Sequence, residues 1–270
     1  MFFCCTIDFA EGANGLGRII AIANQKGGVG KTTTTVNLSA CLAQAGKRVL
    51  TVDADPQGNT TSGLGVDKNN LAKTTYTLLM GSSYLEETAV KTCIDGLTLV
   101  PANIDLVGAE IELVSPDGRE YILRKILRNC NNLYDYILID CPPSLNILTI
   151  NALTAANTVL VPIQCEYFAL EGLSQLLRTI ELVRVNLNKL LEIEGVVFTM
   201  FDSRANLSAQ VVDEVKHHLA GSVYMSVVPR NVRLAEAPSH GLPITLYDGK
   251  SKGAECYTLL AQEVMQREEL

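Results

Sequence analysis

The chain has 270 residues, a formal net charge of −7, and a hydrophobic fraction of 47% against 19% charged residues. That balance excludes a disordered chain, and no apolar run approaches the ~18 residues that would suggest a membrane span. Net acidity excludes a uniformly positive surface, so any nucleic-acid contact must come from a local basic patch.

The opening Met1-Phe2-Phe3-Cys4-Cys5 is apolar, but Asp8 and Glu11 follow and no basic residue precedes Arg18. It therefore does not read as an export signal. Residues 1–17 are expected to be a poorly ordered extension, and 18–270 a single domain. Eight cysteines, at 4, 5, 41, 93, 130, 141, 165 and 256, contain no C-x-x-C pair. They are expected to be reduced thiols of a cytoplasmic protein, Cys4 and Cys5 being the place for adventitious oxidation.

In chain order, β-branched runs predict strands over 18–24, 48–53, 97–101, 136–140, 158–163, 195–200 and 223–228. Several are continuously apolar, as in strands buried on both faces of a parallel sheet. Helical patterns fall between them, over 31–45, 119–129, 146–156, 171–191 and 207–219. Ser115-Pro116-Asp117-Gly118 reads as a turn between helices. The alternation predicts an α/β fold: a doubly wound, mostly parallel sheet with helices on both faces. Ligands of such sheets bind beyond the carboxyl ends of the strands.

Gln25-Lys26-Gly27-Gly28-Val29-Gly30-Lys31-Thr32-Thr33 follows the first strand and opens a helix. Glycines let the backbone curl so that N–H groups converge on phosphate oxygens, and the helix start adds its dipole. Lys31 supplies charge to the β- and γ-phosphates, and the Thr32 hydroxyl suits Mg²⁺. These features define a P-loop for ATP or ADP with magnesium. Asp53 and Asp55 end the second strand in Asp53-Ala54-Asp55-Pro56-Gln57-Gly58-Asn59, and alternation sets both on one face. Two close carboxylates repel unless a cation or water lies between them, which magnesium and a triphosphate supply. Either could instead cap the following turn. Asp140, at the end of Tyr136-Ile137-Leu138-Ile139-Asp140, is the third acid of the set and the Walker B candidate, expected with Thr32 and Asp55 to hold the metal. Cys141 reads as a packing residue. Asn188-Lys189-Leu190-Leu191 lacks the aspartate of a guanine-reading N-K-x-D motif, so GTP is disfavoured.

The KGGxGK[ST] loop, with Gln25 where a P-loop normally has its first glycine, resembles the deviant Walker A family. That family includes ParA/Soj partition ATPases, MinD and the nitrogenase iron protein. D-x-D-P-Q-G-N, I-D-C-P-P-S and the run from Val228 to Ser239 further resemble ParA/Soj, a likeness spanning roughly residues 18–265. The resemblance implies that Lys26 reaches across a homodimer interface to the partner's nucleotide. It implies that Asp55 positions the attacking water, with Asp53 in a supporting role, and that Pro229 and Asn231 lie near adenine. It also implies non-specific DNA binding by the ATP dimer through Arg204 and Arg233, and hydrolysis stimulated by a ParB-type partner. Lys216, Lys250 and Lys252 would widen the basic patch.

MinD carries a basic amphipathic membrane helix, whereas Gln262–Leu270 here is acidic and would be repelled by anionic lipid, so no membrane association is expected. No cysteine pair suggests the iron protein's cluster. A third possibility is a regulatory DNA-binding protein with negligible hydrolysis.

Overall fold

The structure is a computed structural model that describes residues 17–113, 117–166, 169–202, 204–219 and 221–267. The expected extension over 1–16, including Cys4 and Cys5, lies outside the described residues, as do Ser115 and Pro116 of the expected turn and Glu268, Glu269 and Leu270 of the tail. Gly17, counted with the extension, is buried, and its N–H donates to the Asn131 carbonyl at 2.9 Å.

The strands are β1 (Arg18–Ile22), β2 (Val49–Asp53), β3 (Val90–Lys91), β4 (Leu97–Val100), β5 (Tyr136–Asp140), β6 (Thr158–Gln164), β7 (Glu192–Phe201) and β8 (Val223–Pro229). They form one eight-stranded sheet in the order β3-β4-β2-β5-β1-β6-β7-β8. All neighbours pair in parallel except β3 with β4, which are antiparallel at one edge. The parallel pairs require crossovers, and helices supply them.

Side-chain alternation along β1 shows both faces covered. Ile19, Ala21 and Ala23 join one buried cluster with Leu106, Leu148, Leu173 and Leu176. Ile20 and Ile22 join the other, with Leu38, Leu42, Tyr257 and Leu260. Burying these central strands on both sides explains why their sequences are continuously apolar.

Two expected helices have different bounds, and one helix was not expected at all. The predicted 119–129 helix begins as a 3₁₀ turn, Arg119–Tyr121, and becomes α-helical over Ile122–Arg128. The predicted 171–191 helix spans Ala169–Asn186. It stops because Asn188 is buried and donates its side-chain amide to the carbonyls of Leu153 (3.2 Å) and Ala156 (2.7 Å). The acidic C-terminal stretch belongs largely to a helix over Lys252–Gln266, whose Leu260, Ala261 and Val264 are buried in the core. Arg267 follows it, stacked 4.0 Å over the Tyr224 ring and donating to the carbonyls of Glu194 and Val223.

Strand order brings the loops after β1, β2 and β5 together. Asp53 pairs in register with Asp140, and Ile22 with the same Asp140 on its other side. The glycine loop and the aspartates therefore share the carboxyl edge of the three central strands.

Candidate nucleotide-binding site

The loop is anchored before it curls. Asn24 is buried, donates to the Pro162 carbonyl at 2.7 Å, and accepts from the Lys26 N–H at 3.0 Å. Gly28 and Gly30 then adopt φ of 75° and 88°, a left-handed region costly for a side chain. A Cβ added at Gly27 or Gly28 would meet no protein atom within 4 Å, so the loop is open where those residues face. Val29 is buried, and its carbonyl accepts from the Thr199 hydroxyl at 2.8 Å. Gly30 opens the Lys31–Gln44 helix, and no side chain caps its first turn. Unpaired N–H groups of a helix start, beside a curled loop, form an anion cradle.

Lys31 is buried, with its ammonium 3.2 Å from the Lys26 carbonyl. Burial lowers its pKa from the usual lysine range, while the Asp140 charge opposes the shift. The Lys26 ammonium instead pairs with Glu166 of the same chain, 2.6 Å away. Glu166, just beyond β6, also accepts from the Gln164 side chain.

Asp140 is fully buried, yet hydroxyls satisfy it. Its Oδ2 accepts from Thr32 (2.8 Å) and Thr60 (2.6 Å), and its Oδ1 from Thr35 (3.2 Å). Burial pushes its carboxyl up to about 6, against the hydrogen bonds from Thr60 and Thr32. Asp53 is equally buried and serves the following turn: it accepts from the Thr61 N–H (2.8 Å), the Thr61 hydroxyl (2.6 Å) and the Asp55 N–H (3.2 Å). Burial, then the nearby Asp140 charge, pushes Asp53 up to about 7. Asp55, itself 7% exposed, accepts from the Gln57 N–H at 2.9 Å. The capping alternative therefore describes both Asp53 and Asp55 in this structure. The donor set fits magnesium, which takes one or two protein groups and completes its octahedron with phosphate oxygens and water. Thr32 and Asp140 would hold it, with Asp55 on the adjoining loop.

Beside Gly30 and Thr33 opens a cavity of about 210 Å³, lined also by Thr199, Met200, Pro229, Arg230, Asn231 and Tyr257. Pro229 and Asn231 thus flank a space contiguous with the loop, as a base pocket requires. Asn231 also caps a short helix, its side-chain oxygen accepting from the Arg233 N–H at 2.8 Å. Met200 holds φ of 50°, an uncommon backbone state for a non-glycine residue, on the wall of this cavity.

The expected DNA residues lie on segments following β7 and β8, whose neighbouring strands end at this same edge. Arg204 is highly exposed and makes a two-pronged pair with Asp202. Arg233 pairs with Glu236 at 2.9 Å and Asp248 at 3.5 Å. Lys252 pairs with Glu255, while Lys216 and Lys250 are exposed.

Against known proteins, residues 17–193 match a family described as an AAA domain. The chain is 58% identical over 249 residues to the sporulation initiation inhibitor protein Soj of Bacillus subtilis, covering 92% of this chain and 98% of that protein. The chromosome partitioning protein ParA of Myxococcus xanthus is 56% identical, with 94% and 89% covered. The chain belongs to the ParA/Soj family. Among solved structures, a Mycobacterium smegmatis protein titled cobyrinic acid a,c-diamide synthase, with bound ADP and magnesium, superposes with a TM-score of 0.83 at 40% identity, covering 94% of this chain and 96% of that one. The Pyrococcus furiosus cell division ATPase MinD does so at 0.76 and 28%, covering 93% and 100%.

Several residues that shape this ParA/Soj site escaped the sequence reading: Asn24, Thr60, Thr61, Glu166 and Thr199. Asn24 had a local signal, a polar residue interrupting an apolar strand just before the glycines. Thr60, Glu166 and Thr199 act through partners far along the chain, and Thr61 through Asp53, eight residues before it.

Proposed function

We propose that this ParA/Soj protein is a magnesium-dependent ATPase of chromosome or plasmid partition. ATP joins two copies face to face, the dimer binds DNA without sequence preference, and a ParB-type partner stimulates hydrolysis and release. In the dimer Lys26 contacts the partner's nucleotide, Asp55 orients water, and Arg204 and Arg233 contact DNA phosphates. The protein would work in the cytoplasm, on the nucleoid.

The observation that carries the reading is a single constellation: an uncapped helix start, Lys31, Thr32 and Asp140 meeting at one sheet edge, with Asp55 on the adjoining loop. Phosphoryl transfer asks mainly for positioning and charge neutralisation, which these groups supply.

Identity to partition proteins exceeds that to the protein titled a diamide synthase, so partition is preferred. A MinD-like membrane role is disfavoured because the last helix spends its apolar face on the core. No described helix is long and apolar enough to cross a membrane. The remaining alternative is a nucleotide-switched regulator with negligible hydrolysis, in keeping with the inhibitor name of the Bacillus relative.

Steady-state ATP turnover with and without DNA and a ParB-type partner separates these readings. Turnover that rises with both supports partition, and none under any condition supports the regulator. Asp55→Ala is expected to lower stimulated turnover by about a hundredfold or more, the scale of a lost water-orienting group. Unchanged turnover would remove Asp55 from that role.

A further inference from the structure

The short helix Asn59–Gly63 sits where the Asp55 loop turns back toward the sheet. Gly58 opens it at φ of 61°, and a Cβ there would meet the Ala102 carbonyl oxygen at 2.5 Å. The turn is thus pressed against the chain just beyond β4. Its second and third residues are fully buried threonines that reach different strands. Thr61 donates to Asp53, at the end of β2, and accepts from the Ala102 N–H at 2.9 Å. Thr60 donates to Asp140, at the end of β5, at 2.6 Å.

We propose that Thr60 is a positioning residue for the magnesium site, fixing the Asp140 carboxylate so that Asp140 in turn orients the Thr32 hydroxyl. The inference rests on the nucleotide-site reading above. Thr32 has one hydroxyl proton, and it is directed at Asp140 Oδ2, 2.8 Å away. With that proton so engaged, the lone pairs of the Thr32 oxygen are left for a cation. The terminal torsion of an aspartate is soft and needs external donors to hold it. Thr60 meets the same Oδ2 as Thr32, from the opposite element, while Thr35 reaches only Oδ1, at 3.2 Å. Thr60 is therefore the shorter of the two remaining restraints. Groups that orient a metal's ligands without touching the metal commonly control its affinity by ten- to a hundredfold. Because Thr60 stands on the segment that follows Asp55, the same hydroxyl ties metal affinity to that loop's placement.

The test compares Thr60→Val, isosteric but without the hydroxyl, with Thr60→Ser, which keeps it. Binding of a fluorescent ATP analogue is titrated in excess magnesium and in chelator, and urea unfolding is recorded for each protein. Thr60→Val is expected to reduce the magnesium-dependent gain in affinity by about tenfold. Its affinity in chelator should stay within about twofold of wild type, and Thr60→Ser should retain the full gain. If Thr60→Val keeps the gain, or loses affinity equally in magnesium and chelator, the positioning role is overturned. Should Thr60→Val not fold, Thr60→Ala is read by the same criterion. A wild-type protein that binds the analogue with no magnesium-dependent gain would overturn the nucleotide-site reading, and this role with it.

Discussion

Replacing Glu166 by Gln tests whether Lys26 is held back by its own subunit. The pair is short, 2.6 Å, but its side chains are 29% and 48% exposed. Exposed pairs are worth about 0.2–1 kcal/mol after side-chain entropy and solvent screening. If Lys26 must leave Glu166 to reach the partner's nucleotide, each subunit forfeits that energy, and a dimer forfeits it twice. Glu166→Gln should then tighten ATP-dependent dimerisation by about 2- to 30-fold at low salt, since 1.36 kcal/mol is a factor of ten. The gap between variant and wild type should narrow as salt rises, because screening weakens the wild-type pair and leaves the variant unaffected. Sedimentation equilibrium with a non-hydrolysable ATP analogue, across protein and salt concentrations, reads both effects. A weaker dimer in Glu166→Gln would mean that the carboxylate acts across the interface, and an unchanged one that the pair has no bearing on assembly. Either result refutes the reasoning.

Lys26→Ala should bind nucleotide within a few-fold of wild type yet form fewer ATP-dependent dimers; intact dimers in the same sedimentation assay would remove its cross-subunit role. Asp53 gives a pH prediction with a definite sign. Its carboxyl is raised from the ordinary value toward about 7, so between about pH 4 and 7 the folded chain holds a proton that the unfolded chain releases. Its contribution to stability therefore falls as pH rises through that window, by a few kcal/mol at most. In chelator, urea unfolding of wild type minus Asp53→Asn should decline from pH 4 to 7, and a difference that rises with pH contradicts the assignment. Arg204→Ala and Arg233→Ala should each weaken DNA binding by the ATP form and flatten its salt dependence by about one unit of log–log slope per lost phosphate contact. An unaltered slope would make them ordinary surface charges.

The central strands were legible because burial on both faces leaves a run of apolar residues with sharp ends. The 136–140 run matches β5 at both ends, bounded by Asp135 and by Cys141-Pro142-Pro143. Elements made by tertiary contacts were not legible. The edge strand β3 is only two residues long. Asn59–Gly63 is too short to show a helical period and is fixed by the grip of Thr61 on Asp53. The Lys252–Gln266 helix did carry a signal, since Tyr257, Leu260, Ala261 and Val264 recur at helical spacing. It was obscured by the acidic residues of the opposite face.

The site divides along the same line. Glycines, Lys31, Thr32 and the aspartates were readable because the chemistry requires them at fixed local spacings. Glu166 and Thr60 were not, because each meets its partner across 140 or 80 residues. Together these distant partners explain how a buried, charged site is compatible with a stable fold. Lys26 rests on Glu166, Lys31 on a loop carbonyl, and Asp140 on three hydroxyls. A nucleotide entering this site must exchange contacts as well as add them, so the net preference for one conformation over another is smaller than the sum of new bonds. A ligand shifts a conformational equilibrium only by its differential affinity for the two states. A site of this kind is therefore suited to a protein that must both form and abandon its ATP-bound assembly, and strengthening the Lys26–Glu166 pair, the contact given up on assembly, should favour the separated subunit.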